Sequence, residues 1–144
     1  MRVFNETRIL MLSRPANESY ARTAVSSFIA QLDPTVSELA DIKTAVSEAV
    51  TNSVIHGYEN CIGIIEITAR IFEGRIIEIT ISDKGTGIED IELAKQPLYT
   101  TGNPEDRSGM GFTVMESFMD TLEVVSKKGE GTTVTMTKKL SGEF

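Results

Sequence analysis

Residues 75–87 read RIIEITISDKGTG and contain a regular alternation of isoleucine and polar residues. Isoleucines at positions 77, 79 and 81 would share one face of a β-strand and the polar residues between them the other, because side chains alternate along a strand. Asp83 falls on the apolar side if the strand continues that far. The stretch therefore predicts a half-buried strand that carries a carboxylate into the core and ends in a glycine-rich turn at Gly85 and Gly87.

Further strands are predicted on both sides of this stretch. Tight turns at Glu73-Gly74 and at Gly129-Glu130-Gly131 each join two β-rich segments, which is the pattern of a hairpin. The expected strands are an opening strand that ends near Leu12, followed by residues 64–72, 75–82, 122–126 and 132–138. Hairpins of this kind predict a mixed, mostly antiparallel sheet.

Helices are predicted where apolar residues recur at helical spacing. The first would be capped by Asn17 and broken at Asp33-Pro34, the second would stop at Gly57, and the third would begin at Gly111. Between sheet and third helix, residues 84–108 read as a long loop with a short helical stretch near Ile91. The expected fold class is therefore α+β, a two-layer α/β sandwich with helices on one face of the sheet.

Composition narrows the classes of function. The 144 residues, 40% of them hydrophobic, predict one domain over positions 1–144. A formal net charge of −7 argues against direct binding of DNA or RNA. The lone Cys61 has no partner for a disulfide or a cysteine metal cluster, and no apolar run approaches the length of a membrane span. We expect a cytoplasmic protein that contacts neither membrane nor nucleic acid.

The second helix carries Glu48, Asn52 and His56 at a spacing of four residues. That spacing aligns them on one side of a helix, where they can meet one ligand. A solvated polar stripe is the alternative. Two features favour the interpretation as a ligand-binding face. Asparagine is disfavoured inside a helix, and a carboxylate and an amide one turn apart offer the oxygen atoms that Mg²⁺ prefers. His56 is interpreted as a helix-end cap without a catalytic role.

Two glycine-containing segments suggest nucleotide chemistry. A buried ionised Asp83 needs a hydrogen-bond donor, and the amino group of adenine would supply one. The alternative for Asp83 is a simple Asp-x-Gly β-turn. The run Ser108-Gly109-Met110-Gly111 opens into the third helix, whose exposed N–H groups form a natural phosphate site, although a lone Gly-x-Gly is a weak signal.

In their order and separation, Glu48 to His56, Asp83 to Gly87, Ser108 to Phe112 and Gly129 to Thr133 resemble the N-box and the G1, G2 and G3 boxes of the ATPase superfamily of gyrase, Hsp90, histidine kinases and MutL (GHKL, Bergerat fold). The resemblance spans most of the chain. It implies ATP or ADP as ligand, with Mg²⁺ held by Asn52 and Glu48 acting as general base.

The same resemblance assigns the remaining ligand contacts. Asp83 would accept from the adenine amine, Gly85 and Gly87 would let the backbone pass beside the base, and Thr132 or Thr133 would add a hydroxyl near the aspartate. The nucleotide lid and phosphate-binding residues would be Thr100, Thr101, Arg107, Ser108, Gly109, Met110, Gly111 and Phe112. Arg107 would reach the terminal phosphate; without the family it would be read as an exposed loop cation.

Within the superfamily, the stand-alone serine-kinase branch fits best. The only histidine is His56, inside the N-box, and 144 residues leave no room for a second catalytic domain. The stretches that closely resemble the sporulation anti-sigma F factors of spore-forming Firmicutes (the SpoIIAB family) are Asn17–Arg22, Ser47–Asn52, Gln96–Thr101 and Arg107–Phe112.

That resemblance implies a homodimer that, with ATP bound, inhibits sigma F and phosphorylates a serine of the anti-anti-sigma factor SpoIIAA. Arg22 would contact these partners. Two alternatives stay open: a related anti-sigma serine kinase of stress-response partner switching, and a sigma-binding module that senses nucleotide without catalysis.

Overall fold

The computed structural model describes residues 2–58, 61–87 and 111–142 of the chain. The strands in these ranges are β1 (Val3–Leu12), β2 (Ile64–Phe72), β3 (Ile76–Asp83), β4 (Thr121–Lys127) and β5 (Gly131–Lys139). The helices are α1 (Asn17–Ile29), α2 (Val36–Asn52) and α3 (Gly111–Phe118), with a 3₁₀ turn at Ala30–Leu32 and a π turn at Ser53–Gly57. The predicted helical stretch near Ile91 and most of its loop lie outside these residues.

The strands form one sheet in the order β1-β2-β3-β5-β4, and each described pairing is antiparallel. Alternate residues of β3 are buried from Ile77 to Asp83, as the isoleucine alternation predicts. The apolar stripe of α2 packs into the same core as these isoleucines. The predicted α+β class is confirmed.

The core lies between the helix layer and one face of the sheet. Its centre holds fully buried isoleucines from β2 and β3 and small apolar residues of α2, namely Ile65, Ile67, Ile71, Ile77, Ile79, Ile81, Ala45 and Ala49. Burying each isoleucine contributes on the order of 1.5–3 kcal/mol. The alanines let α2 approach the sheet closely, so its end reaches the end of β3.

The beginning of α1 differs from the prediction. The residue before the helix is Ala16, which provides no side-chain cap, and Asn17 is the first helical residue. Asn17 Nδ2 instead donates to the carbonyl of Leu12, 2.9 Å away. The predicted Asn17 cap is wrong because this side chain satisfies the end of β1 rather than the helix N-H groups.

A π turn continues the second helix from Ser53 to Gly57, and His56 lies within it. The N–H of Tyr58 donates to the carbonyl of Ser53 over 3.1 Å, five residues back. The wider turn rotates side chains less per residue than an α-helix does. Glu48 and Asn52 lie four residues apart within α2, and His56 follows four residues later in the π turn. That the three side chains meet one ligand stays a prediction.

Candidate functional site

Asp83 is a charged residue held inside the protein by three donors. Its side chain is only 3% exposed. Ser53 Oγ donates to Oδ2 over 2.8 Å, and the N–H groups of Gly85 and Thr132 donate to Oδ1 over 2.9 and 3.3 Å. A carboxylate accepts about four hydrogen bonds, so these contacts leave room for one further donor.

The donors come from three different elements. Ser53 belongs to the π turn after α2, and Thr132 stands opposite Asp83 in the β3–β5 register. At the end of the π turn, a Cβ on Gly57 would lie 2.9 Å from Asp83 Cγ, so the glycine lets the turn approach the carboxylate. The ends of α2 and β3 and the start of β5 thus converge on one carboxylate.

Gly85 and Gly87 shape the turn after β3. A Cβ on Gly85 would come within 1.8 Å of the Gly57 carbonyl oxygen, and Gly87 has a φ of +77°. The N–H of Thr86 between them donates to that same Gly57 carbonyl over 2.8 Å. These contacts between backbones require glycine at 85 and favour it at 87, whether or not a ligand lies beside them.

Asn52 and Glu48 lie at different depths of α2. Asn52 is the last residue of the helix, 8% exposed, and directly precedes the Ser53 that contacts Asp83. Glu48 is half-buried and lines a groove of about 430 Å³ between α1 and α2. The structure therefore brings Asn52 into the Asp83 neighbourhood, while Glu48 stands one helical turn away beside α1.

Arg22 lines the same groove as Glu48. Its guanidinium lies 3.9 Å from the carboxylate of Glu18 and donates to Ser19 Oγ over 3.4 Å. Across the groove, the hydroxyl of Ser47 donates to Glu18. Glu18 therefore links Arg22 on α1 to Ser47 on α2, the residue that precedes Glu48.

Thr132 and Thr133 of β5 make contacts on opposite faces of the sheet. Thr132 contacts Asp83 through its backbone N–H, and its hydroxyl lies 2.7 Å from that of Ser126. The hydroxyl of Thr133 lies 3.0 Å from that of Ser82 on the opposite face of the sheet. Strand pairing places Thr132 directly opposite Asp83, so its N–H reaches the carboxylate. A role for a threonine hydroxyl near the aspartate stays a prediction.

The structure describes only part of the predicted phosphate-binding site. Gly111 begins α3, and Gly111 and Phe112 are both buried. The other predicted residues of this site lie outside the described residues; they are Thr100, Thr101, Arg107, Ser108, Gly109 and Met110. Among the residues that the structure does describe, no group of three His, Cys, Asp or Glu could hold a metal ion.

Sequence reasoning missed Ser53, Gly57 and Tyr58. Ser53 continues the buried stripe of α2 one turn beyond Ala49, and both residues are buried. A polar residue in an apolar stripe needs a buried partner. This signal could have found Ser53 from the sequence, but it does not identify Asp83 as the partner.

The fold and the site define a histidine kinase-like ATPase. Residues 11–138 match the family model described as "Histidine kinase-like ATPase domain". The RsbU and RsbW domains of a Mycobacterium tuberculosis protein share the fold at a TM-score of 0.71 and 22% identity, over 96% of this chain and 33% of that one. The mycobacterial sensor histidine kinase MprB does so at 0.58 and 13%, over 95% of this chain and 100% of that one.

Curated relatives show which family of histidine kinase-like ATPases the chain belongs to. Proteins named "Anti-sigma F factor" include one from Thermoanaerobacter pseudethanolicus, 59% identical over 99% of both chains, and one from Caldanaerobacter subterraneus, 60% identical over 93% of both. Another, from Clostridium perfringens, is 56% identical over 95% of this chain and 98% of its own. The chain belongs to the anti-sigma F factor family. No described helix is long and apolar enough to cross a membrane.

Proposed function

We propose that this protein is an ATP-dependent serine kinase and an inhibitor of the sporulation sigma F factor. It works in the cytoplasm as a homodimer of single-domain chains, and its phosphate acceptor is a serine of the anti-anti-sigma factor SpoIIAA. The observation that carries the proposal is the buried Asp83, held by three donors where α2, β3 and β5 meet.

Asp83 recognises the adenine. Its carboxylate is oriented by Ser53 and by the N–H groups of Gly85 and Thr132, which fill three of about four acceptor positions. The exocyclic amine of adenine donates to the remaining position. A purine with an oxygen at that position would instead set an acceptor against a carboxylate, so the site selects adenine.

Asn52 faces the phosphates. An amide oxygen is a hard ligand that fits Mg²⁺, which is usually held in proteins by one or two side chains together with substrate phosphates. When bound there, Mg²⁺ neutralises charge on the phosphate oxygens. The N–H groups of Gly109 and of Gly111, the first residue of α3, and the guanidinium of Arg107 would bind the same phosphates, and Thr100 and Thr101 would belong to the nucleotide lid.

Glu48 acts as general base. Its carboxylate takes the proton of the acceptor serine as the serine oxygen bonds to the terminal phosphorus. The bond from that phosphorus to the bridging oxygen breaks, and ADP leaves with the electron pair. Most of the catalysis comes from positioning and charge neutralisation, so the base acts late.

Arg22 contacts the partner proteins. It shares one groove of about 430 Å³ with Glu48, so a partner docked on Arg22 would present a serine within reach of the base. Glu18 and Ser47 support the arginine across the two helices. This shared groove supports one surface serving both recognition and transfer.

A mixing experiment tests the proposal. The protein is incubated with Mg²⁺, ATP labelled on its terminal phosphate and SpoIIAA, and the products are analysed for phosphoserine. Sigma F is added in parallel and its capture is compared with and without ATP. We expect labelled phosphoserine on SpoIIAA and ATP-dependent capture of sigma F. Capture without phosphoserine would reduce the protein to a binding module.

A further inference from the structure

Tyr58 is a second side chain that the π turn brings to Asp83. Its N–H closes the turn on the carbonyl of Ser53. Ser53 therefore begins the five-residue π turn, and Tyr58 directly follows it. Ser53 contacts the carboxylate of Asp83, and Tyr58 contacts Lys84, the next residue of the chain. The turn and the residue after it thus hold the side chain of Asp83 and the backbone of its neighbour Lys84.

The hydroxyl of Tyr58 bridges two strand ends. It accepts a hydrogen bond from the N–H of Lys84 over 2.7 Å and donates to the carbonyl of Ile64 over 2.6 Å. Ile64 begins β2, and its neighbour Ile65 pairs with Asp83. The phenol therefore satisfies one donor and one acceptor directly beside Asp83, in a residue only 8% exposed.

The ring of Tyr58 is fixed by the backbone of Gly63. A Cβ at position 63 would lie 2.2 Å from the ring carbon Cε1. That backbone is itself tied down, because Ser13 N–H donates to the Gly63 carbonyl over 2.8 Å and Gly63 N–H donates to Ser13 Oγ over 3.0 Å. The hydroxyl thus stands at a set position rather than on a freely moving ring.

We propose that Tyr58 is a positioning residue for nucleotide recognition: its hydroxyl fixes the backbone of Lys84 so that the following N–H, of Gly85, orients Asp83 toward the adenine amine. This rests on the adenine role proposed for Asp83. Without the hydroxyl, the Lys84 N–H loses its partner in a partly buried position. The turn then relaxes, and the carboxylate loses its fixed orientation.

Tyr58→Phe removes the hydroxyl and keeps the ring. The test measures affinity for ATP and for inosine triphosphate, which carries an oxygen in place of the adenine amine. We expect ATP affinity to fall roughly tenfold, the effect of one unsatisfied buried donor, with little change for inosine triphosphate. Exchange of the Lys84 amide hydrogen should accelerate. Tyr20→Phe, on an exposed side chain of α1, is the matched control.

A second variant, Gly63→Ala, displaces the ring without removing the hydroxyl and should lower the same ATP preference. An unchanged preference in both variants, or an equal loss of both nucleotides, overturns the role of Tyr58, because a purely structural residue does not alter the ratio. Wild-type protein that binds the two nucleotides equally, with no effect of Asp83→Asn, overturns the adenine role of Asp83 instead.

Discussion

Asp83 lies inside the protein at a point where donors from three separate elements reach its carboxylate. Burying an ionised carboxylate without donors is costly, and a side chain 3% exposed has little help from water. The hydroxyl of Ser53 and the two N–H groups are all donors, so the arrangement suits a carboxylate and not an amide. The chemistry of the site is set at the level of this one residue.

Asp83→Asn should weaken ATP binding by about 1–3 kcal/mol, because the new NH₂ group must face either a donor of the protein or the adenine amine. Titration calorimetry with ATP measures the change. Asp33→Asn is the matched control, since Asp33 is exposed and its φ of +52° suits asparagine equally well. ATP affinity equal to that of wild type would remove Asp83 from the adenine site.

The burial of Asp83 could be predicted from the sequence, and its partners could not. Strand alternation needs only the residues of β3, and the isoleucines supplied a clear period of two. The contact with Ser53 depends on a π turn, which has no sequence signature comparable to that period. The amide contact of Thr132 depends on the register of two strands 49 positions apart.

Helix α2 is the element that connects the parts of the site, and a capping box fixes its beginning. Thr35 Oγ1 accepts from the N–H of Glu38 over 3.0 Å, and Glu38 Oε1 accepts from the N–H of Thr35 over 2.9 Å. The other oxygen of Glu38 accepts from Ser141 N–H over 2.8 Å. This helix start is anchored both to itself and to the chain after β5.

The hydrogen bonds from the N–H groups of Thr35 and Ser141 lower the pKa of Glu38 below its usual 4.5. A carboxyl with a lowered pKa in the folded state stabilises the protein above its unfolded pKa, and this stability is lost as pH falls through the folded pKa. Glu38→Gln should therefore lower the free energy of unfolding at pH 7 by less than about 1 kcal/mol, because the site is partly exposed.

Urea unfolding at a series of pH values checks this prediction. The difference between wild type and Glu38→Gln should shrink as the pH falls from the usual pKa of 4.5 through the lowered pKa of the folded state, because the carboxyl is then protonated in both states. Glu123→Gln, on an exposed residue of β4, is the control. A difference that stays constant down to acid pH would show that the charge of Glu38 contributes nothing.

Element types were predicted better than element ends. The strands and α2 follow from periodicity and burial. The start of α1 was mispredicted because Asn17 can bond either to its own helix or to the carbonyl of Leu12, and only the packed structure decides between them. The π turn is a similar case: Gly57 marks the stop but not the change of helical period.

In the whole molecule, α2 separates two surfaces that the proposed reaction must join. The π turn that follows α2 contacts Asp83 through Ser53, while Glu48 lines the groove that also contains Arg22. Sequence motifs indicated both sets of residues. The groove between α1 and α2 could not be predicted, because it depends on the distance and angle at which these two consecutive helices pack.

Glu48→Gln tests whether Glu48 is the general base of a serine kinase, because the amide keeps the shape of the carboxylate and cannot accept the serine proton. Phosphoserine on SpoIIAA and ATP-dependent capture of sigma F are measured together. Glu66→Gln, a half-buried carboxylate on the far face of the sheet, is the control. We expect Glu48→Gln to capture sigma F normally and to form no phosphoserine. Phosphoserine formation at the wild-type rate would show that Glu48 is not the base.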